Sequence, residues 1–339
     1  MDPLSQAAFG ASLSQSFVRD RSKQVSALVI GALAGVAPDL DIFIRSDTDP
    51  MFFLEYHRQF SHSLAFIPFG ALICALVFYA LMRLPVFRSV LSFGQVYLFS
   101  FLGYATHGLR DSCTSYGTQL FWPFSDVRIA WNTVSIIDPF FTLPVLMLCL
   151  FALFKKNPRY AQAGFIYAVV FLSLGLVQKQ RAEVALQELV QQRGHQIERL
   201  HVKPSFGNRH LWKTIYEYDG RYYVDAVKLL WEVEYFTGTS IQKLDLKRDF
   251  PWLPADSQQA KDVERFRWFS DDFLAVSTKE PNIIIDMRYS FLPNRIDGMW
   301  GVEVNKRLID DGDLDAHVFY EINNRLGDDT LKRFTEMLF

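Results

Sequence analysis

Three histidines and several aspartates of this chain stand where an apolar run gives way to a short polar segment. They are Asp39 and Asp41 in APDLD, His57 and His62 in YHRQFSHS, His107 and Asp111 in THGLRD, and Asp138 in IIDPF. His107 and Asp111 are four residues apart, one turn, so on a helix they share a face and can hold one metal ion or act as one ligand and its orienting carboxylate. His57 and His62 are five apart and fall on different faces of any single helix, which predicts a turn between them. Ser61 is then a natural N-cap, with His62 the first residue of the next helix. Asp39 and Asp41 follow Pro38 in a segment where alternate residues can point the same way. Mixed imidazole and carboxylate donors suit a divalent metal, zinc first, with manganese or iron as alternatives.

A bland alternative stands beside that reading: a His-x3-Asp pair in a membrane helix also serves as interhelical hydrogen-bonding glue. Against it, all of these groups lie at separate helix ends on one predicted face, while His195, His201, His210 and His317 lie elsewhere in the chain. Ionisable residues at membrane depth are functional candidates by default. Arg58 and Arg128 lie in loops beside the cluster and could clamp a phosphate or carboxylate, although an arginine at a membrane edge also pairs with headgroups. Trp122 and Trp131 read as interfacial anchors, and the Gly, Asn and His of KPSFGNRHLWK as a loop before a strand.

The elements that must position these groups are apolar helices. Residues 64–82, 93–109, 136–154 and 160–177 are each close to the roughly 20 residues that cross a bilayer. Residues 25–37 are shorter, and the Ala-, Gly- and Ser-rich stretch 4–18 is predicted to pair with them as a close helical hairpin. The expectation is a polytopic α-helical membrane bundle of about six helices over 1–178, followed by a soluble α+β domain over 179–339. In that second part QRAEVALQELVQQRG reads as an amphipathic helix, and WKTIYEYDGRYYVDAVKL as a hairpin turning at Asp219-Gly220. NIIIDMRYSF and GMWGVEVN read as strands, and HVFYEINNRLGDDTLKRFTEMLF as a closing helix.

Charge supports the division. Residues 1–178 carry 12 basic and 10 acidic side chains, leaving 23 and 27 for the remainder, because hydrocarbon cannot solvate charge. A net charge of −2 over 339 residues gives no electrostatic reason to expect nucleic acid. Three cysteines, Cys74, Cys113 and Cys149, make no disulfide framework. The residues before the first apolar run lack the basic start and small-residue site of a signal peptide, so no cleavage is expected. One set of loops holds Arg19, Arg21, Lys23, Arg83, Arg88, Lys155, Lys156 and Arg159 with Asp20 as its acid, whereas residues 38–63 and 110–135 are mostly acidic. The positive-inside rule then places the first set in the cytoplasm. The cluster and the C-terminal domain fall outside, in the periplasm of a Gram-negative-type cell.

MDPLSQAAFGA, GALAGVAPDLD, HRQFSHSL, GYATHGLRDSCTSYGTQLFWPFSD and Asp138-Pro139 together resemble the YdjM-like family of membrane-bound metal-dependent hydrolases, described as LexA-binding and inner-membrane-associated. The resemblance covers about residues 1–155. That family is in turn similar to the zinc-dependent phospholipase C and single-strand nuclease group, whose helical cores bind metals through scattered His and Asp. What the resemblance implies is that Asp39, Asp41, His57, His62, His107 and Asp111 are metal ligands. Many members carry a Thr-His pattern near the start of the chain where this sequence has Ser5-Gln6. Gln is a poor zinc ligand, so the site is either short of one ligand or uses Gln6 to orient a water.

Two functions are therefore expected. The first is a metal-dependent hydrolase of a phosphodiester or ester, a lipid or a small molecule, at the outer face of the inner membrane, with Asp41 as proton acceptor and Arg58 or Arg128 steadying negative charge. Gln6 and Asp138 would support the ligands. The second is a non-enzymatic scaffold or partner-binding protein in which the cluster holds helices together and the C-terminal domain binds; the LexA label belongs here and conflicts with an outside C-terminus.

Overall fold

The computed structural model describes residues 2–84, 91–322 and 328–339; Arg88 and part of the expected closing helix lie outside the described residues. The chain divides into two units, the first comprising 1–44, 56–177 and 206–208, the second 45–55, 178–205 and 209–339.

The first unit is helical. Helix α1 (Pro3–Ser16) starts on Asp2, whose carboxylate accepts from Leu4 N, with Pro3 at the first helical position. It packs on α2 (Gln24–Val36), which continues into a 3-10 turn, Ala37–Phe43, carrying both aspartates. Two short 3-10 turns, Phe60–His62 and Leu64–Phe66, lead into α4 (Ile67–Met82). A Ser92/Gln95 capping box opens α5 (Phe93–Ser112), and the Asp138 carboxylate opens α6 (Pro139–Phe154). Helix α7 (Pro158–Gln192) follows, and α3 (Phe52–Tyr56) belongs to the inserted segment of the second unit.

Small residues let three of these helices close on one another. A Cβ on Gly10 would lie 2.5 Å from Gly31 O, and one on Gly103 2.4 Å from the same oxygen. Bare backbone therefore lies against backbone where α1, α2 and α5 meet, which brings the polar ends of all three together.

Among the described residues three segments are long and apolar enough to cross a membrane: Arg21–Phe43, Leu64–Met82 and Pro158–Gln192. Their outward residues, among them Phe69, Ile73, Val77, Ile166 and Val170, are exposed as a lipid-facing surface would be. The expectation of about six membrane helices is met by these three candidate spans only. Pro139–Phe154 is apolar but shorter than a span, and α5 carries His107, Arg110 and Asp111. The apolar stretch 160–177 and the amphipathic stretch after 180 form one continuous 35-residue helix.

The second unit is rich in antiparallel sheet. Strands β1 (Arg199–Pro204), β2 (Leu211–Tyr218), β3 (Arg221–Leu229) and β4 (Val233–Gln242) form a meander in sequence order. The β2–β3 turn is the expected one: Tyr218 pairs with Arg221, and Asp219 and Gly220 both take positive φ, at 50° and 65°. After α8 (Leu246–Asp249) and α9 (Gln258–Phe269), a second meander contains β5 (Leu274–Val276), β6 (Ile283–Asp286), β7 (Trp300–Glu303) and β8 (Phe319–Ile322), with α10 (Lys306–Asp310) before the last strand. The C-terminal segment thus corrects the expected closing helix. Its first part, Phe319–Ile322, is rich in β-branched and aromatic residues and pairs with β7, and among the described residues the helix is Asp328–Leu338, α11. Trp212, Tyr216 and Tyr222 are buried against the sheets.

Candidate metal centre

Four elements of the first unit converge at one point. Helix α2 and its 3-10 extension bring Asp39, the turn before α4 brings His62, and α5 brings His107 and Asp111. These four offer one ligand atom each within 4.8 Å of one another. Asp39, Asp41 and His57 form a second, overlapping group.

Each histidine is held so that Nε2 faces the cluster. His107 Nδ1 donates to Gly35 O at 2.6 Å, which fixes the tautomer and leaves the lone pair on Nε2. His62 Nδ1 lies 3.2 Å from Asp41 Oδ2 and 3.0 Å from Ser61 Oγ, so its Nε2 also points inward. The two Nε2 atoms stand 2.9 Å apart. His62 Nε2 is 3.5 Å from Asp39 Oδ1 and 3.5 Å from Asp111 Oδ2; His107 Nε2 is 3.4 Å and 3.7 Å from the same oxygens. A tetrahedral ion with arms of about 2.0–2.2 Å holds its donors about 3.3–3.6 Å apart. The four imidazole–carboxylate separations are close to the edges of that tetrahedron.

The ligand oxygens are only partly answered. Among the described residues Asp39 Oδ1 and Gln6 Oε1 are buried acceptor atoms without a hydrogen bond, and Asp111 Oδ2 is met by Arg58 Nε at 3.1 Å in an ion pair. Burial alone would lower the His62 imidazole, yet Asp111, Asp39 and Asp41 outweigh it and hold it up at about 10. Such a pocket attracts positive charge. His57 behaves differently: burial prevails over Asp41 and pushes it below its ordinary value, so it is neutral near pH 7.

Asp41 faces outward from the donor set. Its Oδ1 pairs with His57 Nδ1 at 2.7 Å, and its Oδ2 accepts from Arg58 N and Ser61 Oγ, each at 2.9 Å. Gln6, on α1, is fully buried and donates through Nε2 to Asp111 Oδ1. Arg58 takes a positive φ of 62° and places Nε 3.1 Å from Asp111 Oδ2 and Nη1 3.1 Å from Thr114 Oγ1. Its guanidinium lies 4.5 Å over the Tyr116 ring. Arg128 donates to Gly117 O at 2.9 Å and to His57 O at 3.4 Å, bracing the loops. Asp138 caps α6 and stands outside both donor groups.

Ser61 does not cap the following helix. That role falls to Ser63, which accepts from Phe66 N, and His62 ends a 3-10 turn. Ser61 instead bridges Asp41 and His62, a function that its position beside His62 offers but spacing alone does not select. Gly108 was equally hidden: a Cβ there would lie 2.0 Å from His62 O, so only glycine lets α5 come close enough for His107 to meet His62.

A third His and Asp group lies in the second unit: Asp49, Asp262 and His317. Its charge is already answered, because Arg265 bonds Asp49 at 2.8 and 2.9 Å, Glu55 at 2.6 and 2.9 Å, and Asp262 at 3.0 Å. It is an ion-pair joint holding segment 45–55 in its unit.

A helical membrane protein with a buried cluster of imidazoles and carboxylates is the class that these features define. The model of the YdjM inner membrane protein family matches residues 1–182, and the chain belongs to that family. The uncharacterized protein YfhP of Bacillus subtilis (strain 168) is 30% identical over 115 residues, which cover 34% of this chain and 33% of YfhP. The match thus spans about a third of that curated relative. No solved structure matches the chain.

Proposed function

We propose that this protein is a membrane-embedded, metal-dependent hydrolase of a phosphodiester or ester, with Asp39, His62, His107 and Asp111 as the ligands. The observation that carries the reading is the set of imidazole–carboxylate separations, 3.4 to 3.7 Å, around two buried carboxylate oxygens, of which Asp39 Oδ1 makes no hydrogen bond among the described residues. Helix glue accounts poorly for Asp39 Oδ1, because a polar contact that holds helices together pairs its buried acceptors. The donor chemistry fits zinc, with manganese and iron as alternatives.

A divalent ion at this point supplies Lewis acidity, lowering the pKa of water and polarising a phosphoryl or acyl oxygen. The chain's own residues do the rest. Asp41 orients His62 and His57, the carboxylate–histidine arrangement that fixes a tautomer and raises basicity. With Asp41 occupied in that way, His57 is the better proton acceptor: its Nδ1–H is held by Asp41 and its basic lone pair is presented at Nε2. Arg58, at the edge of the cluster, is placed to answer negative charge on a reacting oxygen. Arg128 and Asp138 keep structural roles, and Gln6 holds Asp111.

An outer-face site agrees with the loop charges. The same loop charges are what support a periplasmic C-terminal domain.

The test is metal content by mass spectrometry on detergent-purified protein, alongside hydrolysis of a panel of phosphodiesters and esters. Wild type is expected to hold near-stoichiometric metal, and the His107→Ala, Asp111→Ala double variant to lose both metal and activity while still inserting in the membrane. Folded wild-type protein free of metal when purified without chelator would overturn the proposal.

A further inference from the structure

On the stripe of α5 next to His107 and Asp111, the residues Thr106, Leu109, Arg110 and Cys113 line a cavity of about 330 Å³ within the first unit. That volume is at the lower end of ligand pockets, about 300–1,000 Å³. Its walls are apolar, with Phe9 from α1 and Phe165, Val169, Leu172 and Leu176 from α7. Val169 and Leu176 are exposed on α7, a candidate membrane span, so with that helix in a bilayer the cavity would open toward lipid.

Its polar groups are unequal. Thr106, Thr133 and Ser173 each donate their hydroxyl to a backbone carbonyl, those of Gly103, Cys113 and Val169. Arg110 is different. It is fully buried, and its partners among the described residues are Ile136 O, 3.3 Å from Nη2, and the face of the Phe141 ring, 5.2 Å away. Among the described residues Arg110 Nε and Nη1 have no acceptor. Asp111 and Asp2 act on this buried guanidinium electrostatically, yet two of its nitrogens make no hydrogen bond, a cost that an anion in the cavity would relieve.

We infer that this cavity binds an anionic single-chain amphiphile, its hydrocarbon chain along α7 and its carboxylate or phosphate on Arg110. Apolar walls select the chain, and the unpaired N–H groups select the charge. A free fatty acid and a lysophospholipid share that chemistry. The inference stands apart from the metal proposal, because none of the four proposed ligands lines the cavity.

Trp131, also in the lining, supplies the measurement. Chelator-treated protein in neutral detergent is titrated with a brominated fatty acid, the matching brominated alcohol and a brominated lysophosphatidate, each of which quenches a nearby indole. Trp131→Phe protein provides the background from the other tryptophans. Wild type is expected to show saturable quenching, with one of the anions roughly ten- to a hundredfold tighter than the alcohol. Arg110→Gln is expected to bind acid and alcohol alike. Ser173→Phe, on an exposed wall where a larger side chain costs the fold little, is expected to block quenching by all three. Tighter binding of the acid assigns a free fatty acid, and tighter binding of the lysophosphatidate assigns a phospholipid. Equal binding of alcohol and anions to wild type, non-saturable quenching, or an anion preference surviving in folded Arg110→Gln would overturn the inference.

Discussion

Gly108→Ala is the sharpest test of how the cluster is built. The new Cβ would sit 2.0 Å from His62 O, whereas ordinary contact begins at 3.4 Å, so something must move by about 1.4 Å. The obstacle is backbone. His62 O belongs to the turn that Tyr104 also holds, through its hydroxyl to Ser61 O at 2.8 Å, so the turn cannot withdraw without breaking that bond. The displacement falls directly on the 2.9 Å spacing of the two Nε2 atoms. Misplacing a ligand by about 1 Å commonly costs on the order of 100-fold in function. Metal affinity should therefore fall by about two orders of magnitude, read by competition with a fluorescent chelator. Gly94→Ala, near the start of the same helix, is the control: its added methyl would have nothing within 4 Å, and the variant should bind as wild type. Wild-type affinity in folded Gly108→Ala would refute the claim that this glycine sets the meeting of His62 and His107.

Three further outcomes follow from contacts elsewhere. Asp41→Asn keeps the volume but removes the charge that orients His57 and His62, and should weaken metal binding about ten- to a hundredfold in the same competition assay. Arg193→Ala removes a bidentate partner, at 2.6 and 2.9 Å, from the buried Asp225; a loss of about 2 kcal/mol in denaturant unfolding is expected, below the 3–5 of a fully buried pair because the arginine reaches solvent. Burial pushes Lys203 down to about 7, against the pull of Asp286 and with that of Arg288. Its folded form thus binds fewer protons than the unfolded chain between about pH 7 and 10.5, so stability should rise with pH across that window. Lys203→Met should flatten the rise and be the more stable protein at pH 7, checked by unfolding midpoints over the range.

The parts of this structure that could be read from the sequence are those set by local pattern. Asp219-Gly220 demanded positive φ twice and made its hairpin, and the apolar runs made their helices because length and hydropathy leave few other choices. His107 and Asp111 share a face because a helix repeats every 3.6 residues. What could not be read is set by approach between distant segments. Which element would supply the third and fourth donors depended on Gly10, Gly31 and Gly103 letting α1, α2 and α5 close up, and on Gly108 admitting the His62 turn; each looks in sequence like any small residue in a membrane helix. The role of Asp41 was hidden for a similar reason, since spacing places it beside Asp39 but says nothing of His57, which takes up its Oδ1, or of the Arg58 and Ser61 donors on its Oδ2. Length misled at β8, where the helical pattern of the last segment was extended back over a stretch that pairs with β7. Arg110 teaches the opposite lesson. In sequence it is one more basic residue beside an acidic one, and only its burial, with two nitrogens facing no acceptor, separates an anchor from a charge at the membrane edge.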